Sequence, residues 1–330
     1  MERLNIGVAG VGHLGLLHAK MLADIPAVAL VGIYDIDREK AETIARECGT
    51  RACASLEDLL DRSEALTVAT PTTSHFEVAG AALALGRHVL IEKPITQTVT
   101  QADELCRLAR EKKVVLQVGH IERFNPAILA LEKYSIQPVF VESHRLAQFN
   151  PRGTDVAVVL DLMIHDIDLI LSFVRSPVER VDANGVAVVS ESVDIANARL
   201  QFANGCVANV TASRISQRKM RKMRLFQKSE YISVDFLEGL AEVFRLADDQ
   251  SSSQAGTMKL GEIGSGKNKR TILYEQPKVE EVNSLKYELE AFAKTIRHHG
   301  KPVVDGEDGK RALEVANIIM EKIGEQKISL

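Results

Sequence analysis

The stretch that most restricts how this chain can fold is its start, where Leu4, Ile6 and Val8 mark a short apolar strand running into Gly10-Val11-Gly12-His13-Leu14-Gly15. A pyrophosphate needs a tight turn, close backbone approach and a helix N-terminus whose free N–H groups face the anion. A GxGxxG segment between strand and helix supplies all three. A second strand, Val28 to Tyr34, ends in Asp35, and a carboxylate about 20 residues after the last glycine is where a dinucleotide ribose is gripped. Strand, turn, helix, strand and acid in this order favour a dinucleotide site over a glycine-rich turn beside a surface acid. Asp35 would accept hydrogen bonds from both ribose hydroxyls and repel a 2′-phosphate, which favours NAD over NADP. Arg38, three residues further on, keeps a phosphate contact open.

With 330 residues the chain is long enough for two domains. A hydrophobic fraction of 45% and a net charge of -4 give no electrostatic reason to expect nucleic acid or membrane partners. A strand begins almost at once, without a basic region and apolar run, so a cytoplasmic protein is expected. Cys48, Cys53, Cys106 and Cys206 lack CxxC spacing and read as reduced, mostly buried thiols, with no metal site.

The first 120 or so residues alternate strand and helix signals, which predicts a doubly wound parallel α/β sheet. Asp37 caps a helix that stops near Gly49. Ser55 with Asp58, and Ser74 with Glu77, read as capping boxes. Strands are expected at Ala65 to Ala69, Val89 to Ile91 and Val114 to Val118, with a helix from about Gln101 to Lys112. Loops at the carboxyl ends of such strands line the ligand crevice, so Gly10 to Gly15, Thr70 to Ser74 and Glu92 to Pro94 become candidates. The cofactor candidates are Gly10, Gly12, His13, Leu14, Gly15, Asp35, Thr70, Pro71, His75, Glu92 and Lys93. Lys93 carries most weight, because an ammonium beside a nicotinamide can stabilise a hydroxyl oxygen as negative charge develops; the alternative is a surface lysine at a strand end. His120 and Arg123 precede a helix predicted from Pro126, capped by Asn125, to about Lys133. His120 is read as a substrate-site residue or an interdomain histidine.

From Val139 onward the pattern changes to alternating segments, Val139 to Arg145, Val178 to Val188, Asp194 to Phe202, Cys206 to Arg214, Met223 to Phe226 and Tyr231 to Phe236. These predict an α+β second domain with a largely antiparallel open sheet, one face under helices and the other free for a subunit contact. The boundary is placed at 1–122 and 123–330, with the C-terminal helix free to pack back on the first domain. Val158 to Val174 reads as a buried helix that nonetheless carries Asp161, His165, Asp166 and Asp168. Helical spacing puts Asp161, His165 and Asp168 on one face and turns Asp166 away by about 100°. A carboxylate one turn from an imidazole can hold its tautomer for general-base work; a buried structural network is the alternative. The basic run Arg214 to Arg224 reads as a solvated connection or as a contact for an anion or an acidic neighbour. Residues 248–270 read as an exposed loop. Helices from about Ser284 to His298 and Asp308 to Ile323 close the chain.

At Glu92-Lys93-Pro94 together with Asp161-Leu-Met-Ile-His165, the sequence resembles the glucose-fructose oxidoreductase and inositol dehydrogenase family, Gfo/Idh/MocA. The likeness extends through GVAGVGHLG, the Thr70-Pro71 loop and the late VVDGEDGKRALEV segment. It implies an NAD- or NADP-binding Rossmann domain, an open-sheet second domain, oxidation or reduction of sugar and cyclitol hydroxyls, and a homodimer or homotetramer. It also implies Lys93 as the family lysine, His165 as catalytic acid/base and Asp161 as its partner. GHIERFNPA and HRLAQFNPRGTDVAVVLDLMIHDID are most similar to the members that oxidise the 3-hydroxyl of UDP-N-acetylglucosamine for lipid A, a lipopolysaccharide step. Arg123, Arg145 and Arg152 are then candidates for a diphosphate, since Arg forks match phosphate oxygens, with His120 and Asp168 as further substrate contacts. Each arginine reads equally as an ion-pair partner. Two alternatives stand beside this one: an inositol or free-sugar dehydrogenase, and a noncatalytic NAD-binding regulator. Reading Lys93 and His165 as catalytic requires that they converge on one hydroxyl.

Overall fold

The computed structural model describes residues 3–150, 156–248, 256–265 and 269–325. In chain order the elements are β1 (Leu4–Ala9), α1 (His13–Ala23), β2 (Val28–Tyr34), α2 (Arg38–Glu47), α3 (Leu56–Arg62), β3 (Ala65–Val68), α4 (Thr72–Ala84), β4 (His88–Glu92), α5 (Val99–Lys112) and β5 (Leu116–Gly119). After a 3-10 turn at Ile121–Phe124 come α6 (Pro126–Leu129), β6 (Phe140–Leu146), a π turn at Val159–Met163 and α7 (Ile164–Val174). The chain continues with β7 (Val178–Val186), β8 (Ile195–Phe202), β9 (Val207–Ser213), β10 (Met220–Gln227), β11 (Glu230–Asp235), β12 (Leu240–Asp248), β13 (Thr257–Ile263) and β14 (Arg270–Glu275). It ends with α8 (Ser284–Arg297) and α9 (Gly306–Glu325).

Two compact units result. The first joins Met1–Phe124 to Val282–Glu314, and the second joins Asn125–Glu281 to Val315–Leu330. The single boundary after residue 122 is therefore replaced by a discontinuous one. The reason is apolar burial: Leu285, Leu289, Phe292, Ala293 and Ile296 of α8 belong to the same core cluster as Leu4, Ile6, Leu22 and Ile33. The first unit holds a five-stranded parallel sheet in the order β2-β1-β3-β4-β5. The order reverses between β1 and β3, and ligands of such sheets bind where neighbouring loops part at that switch.

The second unit holds a nine-stranded sheet, β13-β14-β12-β11-β10-β6-β9-β8-β7, antiparallel except for the β6 and β9 pair. Alternating side chains of β6 are buried, and α7 packs on β6 and β9. The other face carries a half-exposed ladder of Phe140, Phe226, Tyr231, Phe244 and Tyr274, with successive ring centroids 5.6, 4.9, 5.3 and 5.1 Å apart.

Several local expectations change. Residues 248–270 are not simply a loop: β13 lies within the stretch, and β14 begins at its last residue. Arg218 and Lys219 lie in the exposed connection between β9 and β10, as expected, and the basic run then enters the sheet as β10, where Lys222 pairs with Asp235 at 3.1 Å and Arg224 with Glu142 at 3.1 Å. Arg214 is buried beside Asp194. These partners neutralise a run that would repel itself as a free connection. The helix after Asn125 spans only Pro126–Leu129, because the chain then tightens into turns in which Leu131 N–H donates to Ile128 O and Tyr134 N–H to Leu131 O. Helix α4 begins at Thr72, and the Ser74 hydroxyl donates to Pro71 O instead of forming a capping box. The reciprocal box occurs at Thr98 and Gln101 of α5.

Candidate functional site

In the first unit the site begins at the turn from β1 into α1. Gly10 has φ +83°, and a Cβ there would lie 2.7 Å from Thr70 N. At Gly15 it would lie 1.9 Å from Gly10 O, whereas at Gly12 it would meet nothing within 4 Å. Gly10 and Gly15 are thus needed by the turn itself, and Gly12 leaves its backbone open. Gly12 is the N-cap of α1, makes no side-chain cap bond, and is followed by no acid in the first turn. His13 and Leu14 open that turn, with Leu14 44% exposed despite its apolar side chain. An uncapped, acid-free helix start offers free N–H groups and a positive dipole end to an anion.

Asp35 is held in place by this turn. Its Oδ2 accepts from Val11 N–H at 2.7 Å and its Oδ1 from Asp37 N–H at 2.9 Å. A carboxylate has about four lone-pair sites, so both oxygens keep acceptor capacity for ribose hydroxyls. Arg38 is engaged by Glu42 at 2.9 Å. Ile36 is 92% exposed immediately after Asp35, an apolar surface at the crevice lip that sequence reasoning missed. Its signal is an isoleucine placed between two acids in a loop. Thr70 adds a buried Oγ1 with no hydrogen-bond partner among the described residues, a second polar atom available to a ligand. Glycine cradle, ribose acid and orphaned hydroxyl fit a dinucleotide.

Two cofactor candidates point inward. His75 is 1% exposed, with Nδ1 2.9 Å from Pro94 O and Nε2 2.9 Å from Thr70 O. It ties two crevice loops together from beneath. Burial lowers its pKa, against the raising effect of those carbonyls. Glu92 is 8% exposed and takes a hydrogen bond from His18 at 2.9 Å, so its carboxylate serves the interior. Lys93 follows at the end of β4, half-exposed, and a cis peptide joins it to Pro94.

In the second unit, Asp161 and His165 are half-exposed while Asp166 and Asp168 are each 1% exposed. The single helical face expected for Asp161, His165 and Asp168 divides within α7, where His165 is half-exposed and Asp168, three residues on, is buried; Asp161 lies in the π turn just before that helix. Asp168 is closed from solvent and drops out as a surface contact. Arg145 is also corrected: it is 2% exposed, and its Nε and Nη2 donate to Asp166 Oδ2 and Oδ1 at 3.0 and 2.9 Å. That fork is already filled, which removes it as a diphosphate contact. In the first unit His120 is buried at the end of β5, and Arg123 is half-exposed on the 3-10 turn. Arg152 lies outside the described residues. Among the described residues no group of three His, Cys, Asp or Glu side chains is arranged to hold a metal ion, and no helix is long and apolar enough to cross a membrane.

Known proteins match this arrangement over the whole chain. The oxidoreductase family with an NAD-binding Rossmann fold, Gfo/Idh/MocA, matches residues 4–120, and its C-terminal domain matches residues 139–229. UDP-N-acetylglucosamine 3-dehydrogenase of Acidithiobacillus ferrooxidans is 38% identical over 317 residues, 96% of each chain. A solved structure of that enzyme superposes with a TM-score of 0.87, covering 98% of each chain. Myo-inositol 2-dehydrogenase of Thermotoga maritima is 25% identical over 94% of this chain and 93% of its own. Levoglucosan dehydrogenase in complex with NADH shares the fold at 20% identity and a TM-score of 0.82, covering 98% of each chain. The match of both family models, with 38% identity along 96% of the chain, identifies this chain as a member of the Gfo/Idh/MocA family of NAD-dependent oxidoreductases.

Proposed function

We propose that this protein oxidises the 3-hydroxyl of UDP-N-acetylglucosamine with NAD, in the cytoplasm, as a step toward lipid A or another surface glycan. The observation that carries this is 38% identity across 96% of both chains to an enzyme named for that reaction. Gly10, Gly12, Gly15 and Asp35 hold the dinucleotide, which when bound accepts the hydride. His165 removes the hydroxyl proton, and the Lys93 ammonium steadies the oxygen as charge develops on it. Asp161 orients the imidazole and raises its basicity. The half-exposure of Asp161 and His165, beside the closed Asp166 and Asp168, supports this division of labour. Arg123 remains the described arginine suited to the diphosphate. The aromatic ladder on the half-exposed sheet face supports assembly with a second copy, as a homodimer or homotetramer.

The test is NADH formation across UDP-sugars, free sugars and cyclitols. Turnover with UDP-N-acetylglucosamine, weakened by salt and absent with inositol, is expected. Equal turnover with inositol would overturn the substrate assignment, and NADH binding without turnover on any member would favour a regulator.

A further inference from the structure

Beneath the Glu92-Lys93 turn lie two buried ionisable side chains that this chemistry does not use. His18 comes from α1 and Glu288 from α8, and both are 0% exposed. His18 Nε2 donates to Glu92 Oε1 at 2.9 Å, and Lys93 N–H donates to Glu92 Oε2 at 3.3 Å. A Cβ at Gly119, where β5 ends, would lie 3.1 Å from each Glu92 carboxylate oxygen, so bare backbone closes that side. Neither oxygen of Glu288 has a hydrogen-bond partner among the described residues.

An ionised carboxylate is not sustained in a closed interior without a partner; it takes up a proton instead. Burial first, and the charge of Glu92 second, hold the Glu288 carboxyl well above the usual carboxylate range. Burial pushes Glu92 upward as well, but the hydrogen bond and charge of His18 and the nearby Lys93 outweigh it, and the net shift is downward. One buried acid is therefore charged and its neighbour is not. The elements packed on α8 are α1, which carries His13, His18 and Lys20, and the 3-10 turn, which carries Glu122 and Arg123; Glu92 and Lys93 lie at the end of β4. Of these, the Glu92 carboxylate is the one whose charge bears on Glu288.

We propose that Glu288, unpartnered and within reach of the Glu92 charge, is a positioning residue for the Lys93 turn, and that cofactor binding weakens when Glu288 gives up its proton. A second negative charge in one closed site is relieved by movement or by entry of water. Glu92 is the group able to yield, because it ends a strand, and the next residue is Lys93. The inference deepens the reading of Lys93 given above and rests on it.

The test uses the intact protein and Glu288→Gln, which keeps the shape of the protonated acid and has no acidic proton. Glu288→Met serves as a second uncharged variant. Infrared difference spectra of wild type against Glu288→Gln at pH 8 should contain the carbonyl stretch of one buried protonated carboxyl. In NADH titrations followed by nicotinamide fluorescence, the wild-type Kd should rise above the pH at which that band disappears. The slope should reach about tenfold per pH unit, that of a single proton, and both variants should lack this rise. No protonated carboxyl at pH 8, a wild-type Kd that stays flat, or variants that follow the wild-type curve would overturn the proposal. Neither readout uses a sugar, so a failed substrate assay and a failed titration are told apart.

Discussion

One methyl group added at Gly12, and one at Gly15, separate what the fold requires from what the cofactor requires. At Gly15 an added Cβ falls 1.9 Å from Gly10 O and 2.8 Å from Gly10 C, backbone atoms with no flexible end to move aside. Overpacking of this kind costs about 1–3 kcal/mol or more, so Gly15→Ala should unfold at clearly lower urea. At Gly12 the Cβ meets nothing within 4 Å, and the φ of -61° is outside the positive range that favours glycine. Alanine caps a helix less well than glycine, a loss of under about 1 kcal/mol, and it stiffens the unfolded chain by a gain of roughly 0.4–1 kcal/mol. The two nearly cancel, and Gly12→Ala should unfold like wild type. The same methyl occupies the space a pyrophosphate needs for close backbone approach. Losing one hydrogen bond to a charged group costs about 1.5–3 kcal/mol, so NADH should bind roughly 10- to 150-fold more weakly. Urea unfolding and NADH fluorescence titration on both variants decide the matter. Wild-type NADH affinity in Gly12→Ala would refute the placement of the dinucleotide against the start of α1.

Four further outcomes follow from the structure. Lys93→Met should lower kcat by about 10²- to 10³-fold, as for loss of an oxyanion donor, with NADH binding retained; near-normal turnover removes Lys93 from the reacting set. Asp166→Ala leaves the Arg145 guanidinium in a site only 3% exposed without its carboxylate, and should cost about 3–5 kcal/mol by chemical denaturation. Arg107→Ala, which removes an exposed network with Glu104 and Glu111, should cost under about 1 kcal/mol. Because the folded pKa of Glu288 is raised, its stabilising protonated form is fully present below the unfolded value and is lost as pH rises toward the folded one. Wild-type stability should therefore fall, relative to Glu288→Gln, by about 1.4 kcal/mol per pH unit from roughly pH 4.3 upward. Parallel stability curves would show that Glu288 ionises normally.

The parallel sheet was legible because its central strands are buried on both faces and read as short apolar runs, as in HVLIE of β4, where Val89 to Glu92 are all buried. Strand β13 was not, because TMKLGEI shows no clean alternation, five of its seven residues being exposed and none buried, and serines and glycines flank it. The glycine cradle and Asp35 could be placed from spacing alone, since their geometry is local. Arg145 could not, because its partner Asp166 comes from another element. One clue was present: Arg145 shares strand parity with Val141 and Ser143, which are buried. Glu288 had a similar clue, lying on the helical stripe of Leu285, Leu289 and Phe292 where an acid is out of place. The inward turn of His75 and Glu92 was not readable, because a residue's presence in a ligand loop does not fix which side of the loop its side chain takes.

Deuterium placed at carbon 3 of UDP-N-acetylglucosamine tests the central claim most directly. The account predicts that each turnover carries one deuterium into the reduced nicotinamide, leaves a ketone at carbon 3, and slows when the label is present. Reduced cofactor free of deuterium, or no reduction with this sugar under conditions where the protein binds NADH, would contradict it.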